Sequence, residues 1–172
     1  MRVEKSSFFL ALFILFAFSG CQPAKDDGFA IYLLAQDIPA TELSKIDINQ
    51  LTLESRPLIS SDDVTSYHKT NHIIELTPAA NTHIQQIFPK PVRVDGIPFV
   101  VCIGDERIYA GAFWTPVSSL SYDGVVIMQP WDTKETTIQI ALGYPGPDAF
   151  TGTDPRADPR IMRVLERDNK LK

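Results

Sequence analysis

From Phe29 to Gln36 apolar and aromatic residues run nearly unbroken, the pattern of a buried strand. Asp37 to Lys45 reads as a loop, with one helical turn starting at Thr41. Asn49 to Glu54 alternates, Leu51 and Leu53 against Thr52 and Glu54, which predicts a half-buried strand. Ser60-Ser61-Asp62-Asp63 offers side-chain acceptors and negative charge to free backbone donors, so a short helix is expected from there to near His68. His72 to Leu76 is a strand. Thr77-Pro78 is the clearest helix start. Thr caps the helix, and Pro suits its first position because the missing N–H is not needed there. Ala80, Ile84, Ile87 and Phe88 then form one apolar stripe, and Pro89 and Pro91 end the helix.

The second half reads as hairpins followed by a helix. Ile97–Ile103 and Glu106–Trp114 are strands around Gly104-Asp105, a two-residue turn signal, and Gly111 marks a bulge or a close backbone approach. Val125–Gln129 and Thr136–Leu142 make a second pair, with Ile138, Ile140 and Leu142 on one face. Residues 143–158 form a Gly/Pro-rich loop, and Asp158-Pro159 starts a helix that runs to about Asp168. Strands and helices mix without regular alternation. The expected fold is α+β, a mostly antiparallel sheet with helices packed on one face.

The first residues have a different pattern. Arg2 and Lys5 precede an uninterrupted apolar run from Phe8 to Phe18, and Ser19-Gly20-Cys21 follows. The 11-residue run would span about 16 Å as a helix, roughly half the hydrocarbon thickness of a bilayer. The segment resembles a bacterial lipoprotein signal peptide ending in a lipobox. The resemblance implies that the mature chain begins at Cys21, with diacylglycerol on its sulfur and an acyl group such as palmitate on its amine. Two or more acyl chains hold a protein on a membrane almost permanently. Gln22, where an Asp would suggest inner-membrane retention, favours the outer membrane of a Gram-negative envelope. The organisation is then a signal peptide over 1–20, a lipidated tether over 21–28 and one α+β domain over 29–172.

Loss of residues 1–20 leaves 152 residues, enough to bury a core without staples. Arg2, Lys5 and Glu4 leave with that segment, which takes the net charge from −5 to −6. Such an acidic domain does not read as a nucleic-acid binder. Cys102 becomes the only unmodified cysteine, so no internal disulfide forms. Its place in Phe99-Val100-Val101-Cys102-Ile103 reads as a small buried hydrophobe.

Candidate chemistry is sparse. His68, His72 and Glu75 have the nearest approach to zinc-ligand spacing, but the predicted helix ends between the histidines and the strand sets His72 and Glu75 on opposite faces. No metal or cofactor is expected. Ser118, Ser119 and Ser121 lie in a loop without a Gly-x-Ser-x-Gly elbow, so a hydrolase using one of them, or a metal at His68 and His72, stands only as the alternative reading. Asp154-Pro155-Arg156 and Asp158-Pro159-Arg160 form a tandem in which each Asp caps the turn its Pro begins. Arg160, Arg163 and Arg167 share one face of the last helix, and residues 156–172 carry net +3. That stripe is a candidate contact surface for head groups or an acidic partner. So is the aromatic cluster of Tyr109, Phe113 and Trp114.

Residues from about 72 to 128 run strand, Thr-Pro helix, loop, Gly96-x-Pro98-Phe99-Val100-Val101, then Arg107-Ile108-Tyr109-Ala110-Gly111-Ala112-Phe113. This third of the chain resembles the head subdomain in the first periplasmic region of the SecD protein-export subunit. The resemblance implies an α+β module that contacts other polypeptides, and it transfers no catalytic residue. The expectation is a lipid-anchored, extracytoplasmic envelope protein with a non-catalytic binding or accessory role and an envelope protein as partner.

Overall fold

The computed structural model describes residues 27–88, 93–129 and 135–172. Cys21, the segment before it, tether residues 22–26 and the helix-stopping Pro89 and Pro91 lie outside them. The described residues hold strands β1 (Phe29–Leu33), β2 (Val64–His68), β3 (Ile73–Leu76), β4 (Ile97–Ile103), β5 (Glu106–Trp114), β6 (Tyr122–Met128) and β7 (Thr137–Tyr144), with helices α1 (Pro78–Ile87) and α2 (Pro159–Arg167). The strands form one sheet in the order β1-β4-β5-β6-β7-β3-β2. Every neighbouring pair is antiparallel except β5 and β6. The fold is α+β.

Strand alternation divides the sheet into two faces. Phe99, Val101, Phe113, Val125, Ile127 and Ile140 point into the main core, where Ala80 and Ile84 of α1 and Ile161, Val164 and Leu165 of α2 cover them. Val100 and Cys102 point the other way and meet Leu43 and Leu51. Ala112, Trp114 and Val126 do the same and meet Ala40 and Tyr122. This second face is covered by residues 40–51, which form two short 3-10 turns, Ala40–Lys45 and Ile48–Gln50.

Both edges of the sheet are occupied by the chain itself. Along β1, Leu58 N donates to Ile31 O and Ile31 N to Ile59 O, each at 2.8 Å, while Glu54 N donates to Leu33 O at 2.9 Å. Along β2, Tyr67 N donates to Lys170 O at 2.7 Å and Lys172 N to Tyr67 O at 2.8 Å. Exposed strand edges invite pairing with other chains, and these segments take those positions.

The two helix starts match the sequence. Thr77 Oγ1 accepts from Ala80 N, Asp158 accepts from Arg160 N, and a proline follows each cap. Gly111 sits at the expected close approach, since a Cβ there would lie 2.5 Å from the Phe99 ring and 2.6 Å from the Val125 carbonyl. Two local expectations fail. The Ser60–Asp63 start makes only a 3-10 turn over Ser61–Asp63, and the chain continues as β2. Backbone pairing with β3 and residues 170–172 outweighs the local helix signal there. Residues 49–54 form no strand. Their single bridge is Leu34 with Leu53, because Leu51 and Leu53 are used to cover the sheet face.

Candidate functional site

The aromatic candidates are core residues. Tyr109, Phe113 and Trp114 are 6 %, 0 % and 0 % exposed, so the expected contact surface at these positions is corrected. Alternation does place Tyr109 and Phe113 on one face and Trp114 on the other, but both faces are covered. Phe113 packs against Phe88 of the α1 cap and Phe99, with ring centres 4.8 and 5.2 Å apart. Trp114 stacks on Tyr122 at 5.1 Å.

The arginine stripe is largely neutralised. Arg160 donates to Asp158 and to Glu106 at 2.6 Å, and Arg167 donates to Asp168 and to Asp27 at 2.6 Å. These partners hold both guanidinium groups firmly protonated. Arg163 is exposed, and no side-chain partner contacts it among the described residues. A stripe flanked by so many carboxylates is not a basic patch, and the docking expectation loses its electrostatic basis.

The histidines occupy different faces of the β2–β3 hairpin. His68 Nε2 lies 3.1 Å from Glu75 Oε1 and 3.2 Å from Ser66 Oγ. Both oxygens approach the same ring nitrogen, so Ser66, His68 and Glu75 do not form a relay, in which serine and carboxylate take opposite nitrogens. His72 instead turns into the main core beside Tyr67. The two imidazoles therefore share no metal site, and no group of three metal-ligating side chains occurs among the described residues.

Nor do the loop serines meet a histidine. Ser118 Oγ donates to Val94 O at 2.6 Å and accepts from Leu120 N. Ser119 and Ser121 are exposed. Ser118 braces the connection between parallel strands β5 and β6, and the Tyr144 hydroxyl adds hydrogen bonds to Pro116 O and Ser118 O. Burial pushes the Cys102 thiol up to about 11, which keeps it an unreactive thiol in its apolar setting.

One polar constellation was not foreseen. Tyr67 of β2 is fully buried, and its hydroxyl lies 2.9 Å from Nδ1 of His72 and donates to Arg156 O at 3.3 Å. His72 has a left-handed backbone, φ 52°, at the tip of the hairpin, and its carbonyl accepts from Ile140 N at 2.9 Å. Across from it, Arg156 forks onto Asp154 at 2.7 and 2.9 Å and donates from Nη1 to Ile140 O at 2.9 Å. The Asp154-Pro155-Arg156 turn, Tyr67 and the hairpin tip are thus tied together over β7. Burial holds His72 below its ordinary value; Arg156 adds to that effect and Asp154 opposes it. Burial likewise raises Tyr67 and, nearby, Tyr109. Tyr67, Tyr109 and His72 are all buried, so this cluster locks two loops from within rather than facing a substrate. The sequence signals for it were the Asp-Pro-Arg repeat and a histidine at a hairpin tip, residues more than 80 positions apart.

No protein-family model matches this chain, and no match to it is found among curated proteins or solved structures.

Proposed function

We propose that this chain is a lipid-anchored, extracytoplasmic envelope protein, held on the membrane through Cys21, with a non-catalytic binding or accessory role toward another envelope polypeptide. The observation that carries the reading is the pattern at the start of the chain, Arg2 and Lys5 before the apolar run Phe8 to Phe18 and then Ser19-Gly20-Cys21. Asp27 is ion-paired to Arg167 at 2.6 Å, Gly28 O accepts from Gly104 N at 3.0 Å, and Phe29 is already in the core. Six residue steps separate Cys21 from Asp27, a reach of at most about 21 Å. Anchoring at Cys21 therefore keeps the Gly104-Asp105 turn and the end of α2 close to the lipid surface. β5 leaves that turn and runs nine residues, about 30 Å, so Trp114 and the connection after it stand at the far pole. Val117 and Leu120 are exposed on that connection, at 64 % and 44 %.

The resemblance of residues 72–128 to the SecD head subdomain supports a polypeptide partner. The engagement of Ser118, His68 and His72 with their own neighbours favours a binding role over hydrolysis. The test is fractionation combined with lipid proximity. The protein should stay with membranes through a high-salt wash, and Cys21→Ala should release it. A photoreactive group at position 105 should label phospholipid, and one at 117 should not. Salt-extractable wild-type protein, or equal lipid labelling from both positions, contradicts the reading.

A further inference from the structure

A second feature lies beside the β1 edge, away from the buried cluster. The chain is bonded to β1 at Glu54 and again at Leu58 and Ile59. Between these points Ser55, Arg56 and Pro57 bow outward, and Pro57 has no N–H to return to the strand. The bow and the end of α1 enclose a groove of about 390 Å³, within the size range of small-ligand sites. Leu33, Pro57, Leu58 and Ile87 give it an apolar lining. Ile87 belongs to the apolar stripe of α1 yet is 39 % exposed, because this part of the stripe opens into the groove instead of the core. Glu54, Arg56 and His83 also line it. Arg56 is exposed, and no side-chain partner contacts its guanidinium among the described residues.

We infer that this groove binds a small amphipathic carboxylate, an unbranched apolar body lying on Leu33, Leu58 and Ile87 with its carboxylate held by Arg56. A guanidinium fork matches a carboxylate in two parallel hydrogen bonds. Glu54 lines the same groove, and its carboxylate disfavours a doubly charged ligand more than a singly charged one. The inference does not depend on the anchor, and it gives the domain a ligand as well as a polypeptide partner.

The test is isothermal titration of the secreted, unanchored Cys21→Ala chain with decanoate in detergent-free buffer. The expected result is saturable one-to-one binding, weakened roughly tenfold or more by Arg56→Glu. Ile87→Asp should abolish binding. Decylammonium, with the same body and the opposite charge, should bind the unsubstituted groove at least tenfold more weakly than decanoate. Both substituted positions are exposed, and unchanged thermal midpoints will show that the fold is intact. No saturable binding, equal affinity after Arg56→Glu, or equal affinity for decylammonium overturns the inference. None of these results bears on membrane retention through Cys21, which is read separately by fractionation.

Discussion

The Tyr67 hydroxyl stands 2.9 Å from Nδ1 of His72, and the two rings meet edge-on with centres 6.0 Å apart. This contact joins the β2–β3 hairpin tip to the turn that carries Arg156, whose carbonyl also accepts from Tyr67.

The contact makes stability depend on pH in a defined direction. His72 titrates below its ordinary 6.5 in the fold, through burial first and Arg156 second, while Asp154 pulls the other way. Unfolding restores the ordinary value. Between the lowered value and about 6.5 the unfolded chain binds a proton that the folded chain does not, so this contribution is complete above that window and is lost as pH falls through it. Thermal midpoints at pH 7.5 and 5.5 check this. The wild type should lose more over the interval than His72→Asn, which removes the titration and tolerates the left-handed backbone. Equal losses would assign the acid sensitivity to other groups.

Tyr67 and Tyr109 should respond oppositely to loss of their hydroxyls. The Tyr109 hydroxyl is buried with no hydrogen-bond partner among the described residues, whereas that of Tyr67 serves His72 and Arg156. Tyr109→Phe should leave stability unchanged or raise it, and Tyr67→Phe should lower it by about 1 kcal/mol. Urea unfolding of the two variants gives the comparison.

The start of α2 rests more on its cap than on the ion pairs along it. Asp158 accepts from Arg160 N at 2.8 Å as well as from the Arg160 guanidinium. Asp158→Ala should cost about 1 kcal/mol, the usual loss for a helix cap. Arg163→Glu, on the exposed face, should fall within about 0.5 kcal/mol of wild type. Chemical denaturation distinguishes the two.

That cap shows how much was legible beforehand. Thr77-Pro78 and Asp158-Pro159 carry their geometry in adjacent residues, and both start helices as read. The Gly104-Asp105 hairpin is equally local. The parallel pairing of β5 with β6 and the insertion of β3 beside β7 depend on contacts distant in sequence, which local pattern does not encode. The same limit applies to the site. The Asp-Pro-Arg repeat was visible as two capped turns, but its meeting with Tyr67 and His72 requires the sheet to exist first. The aromatic density at Tyr109–Trp114 was real, yet pattern alone did not show that both faces of β5 are covered. The residues over the second face form 3-10 turns with no strong periodicity.

Gly111 is a sterically demanding position in the interior of the sheet. A methyl group there would meet the Val125 carbonyl of the paired strand at 2.6 Å and the Phe99 ring at 2.5 Å. Gly111→Ala should cost about 3 kcal/mol, because backbone as well as side chain must move. Gly146→Ala, with nothing among the described residues within 4 Å of the added carbon and an extended φ of −170°, is the control and should be near neutral. Differential thermal unfolding measures both.

Cys21, as the proposed membrane anchor of this domain, has one decisive readout. The most direct measurement is the intact mass of the protein purified from its native membrane, beside the Cys21→Ala variant. The expected species is a chain beginning at Cys21 and carrying diacylglycerol plus an acyl group, with both additions absent from the variant. An unmodified chain cut at another position contradicts that anchoring.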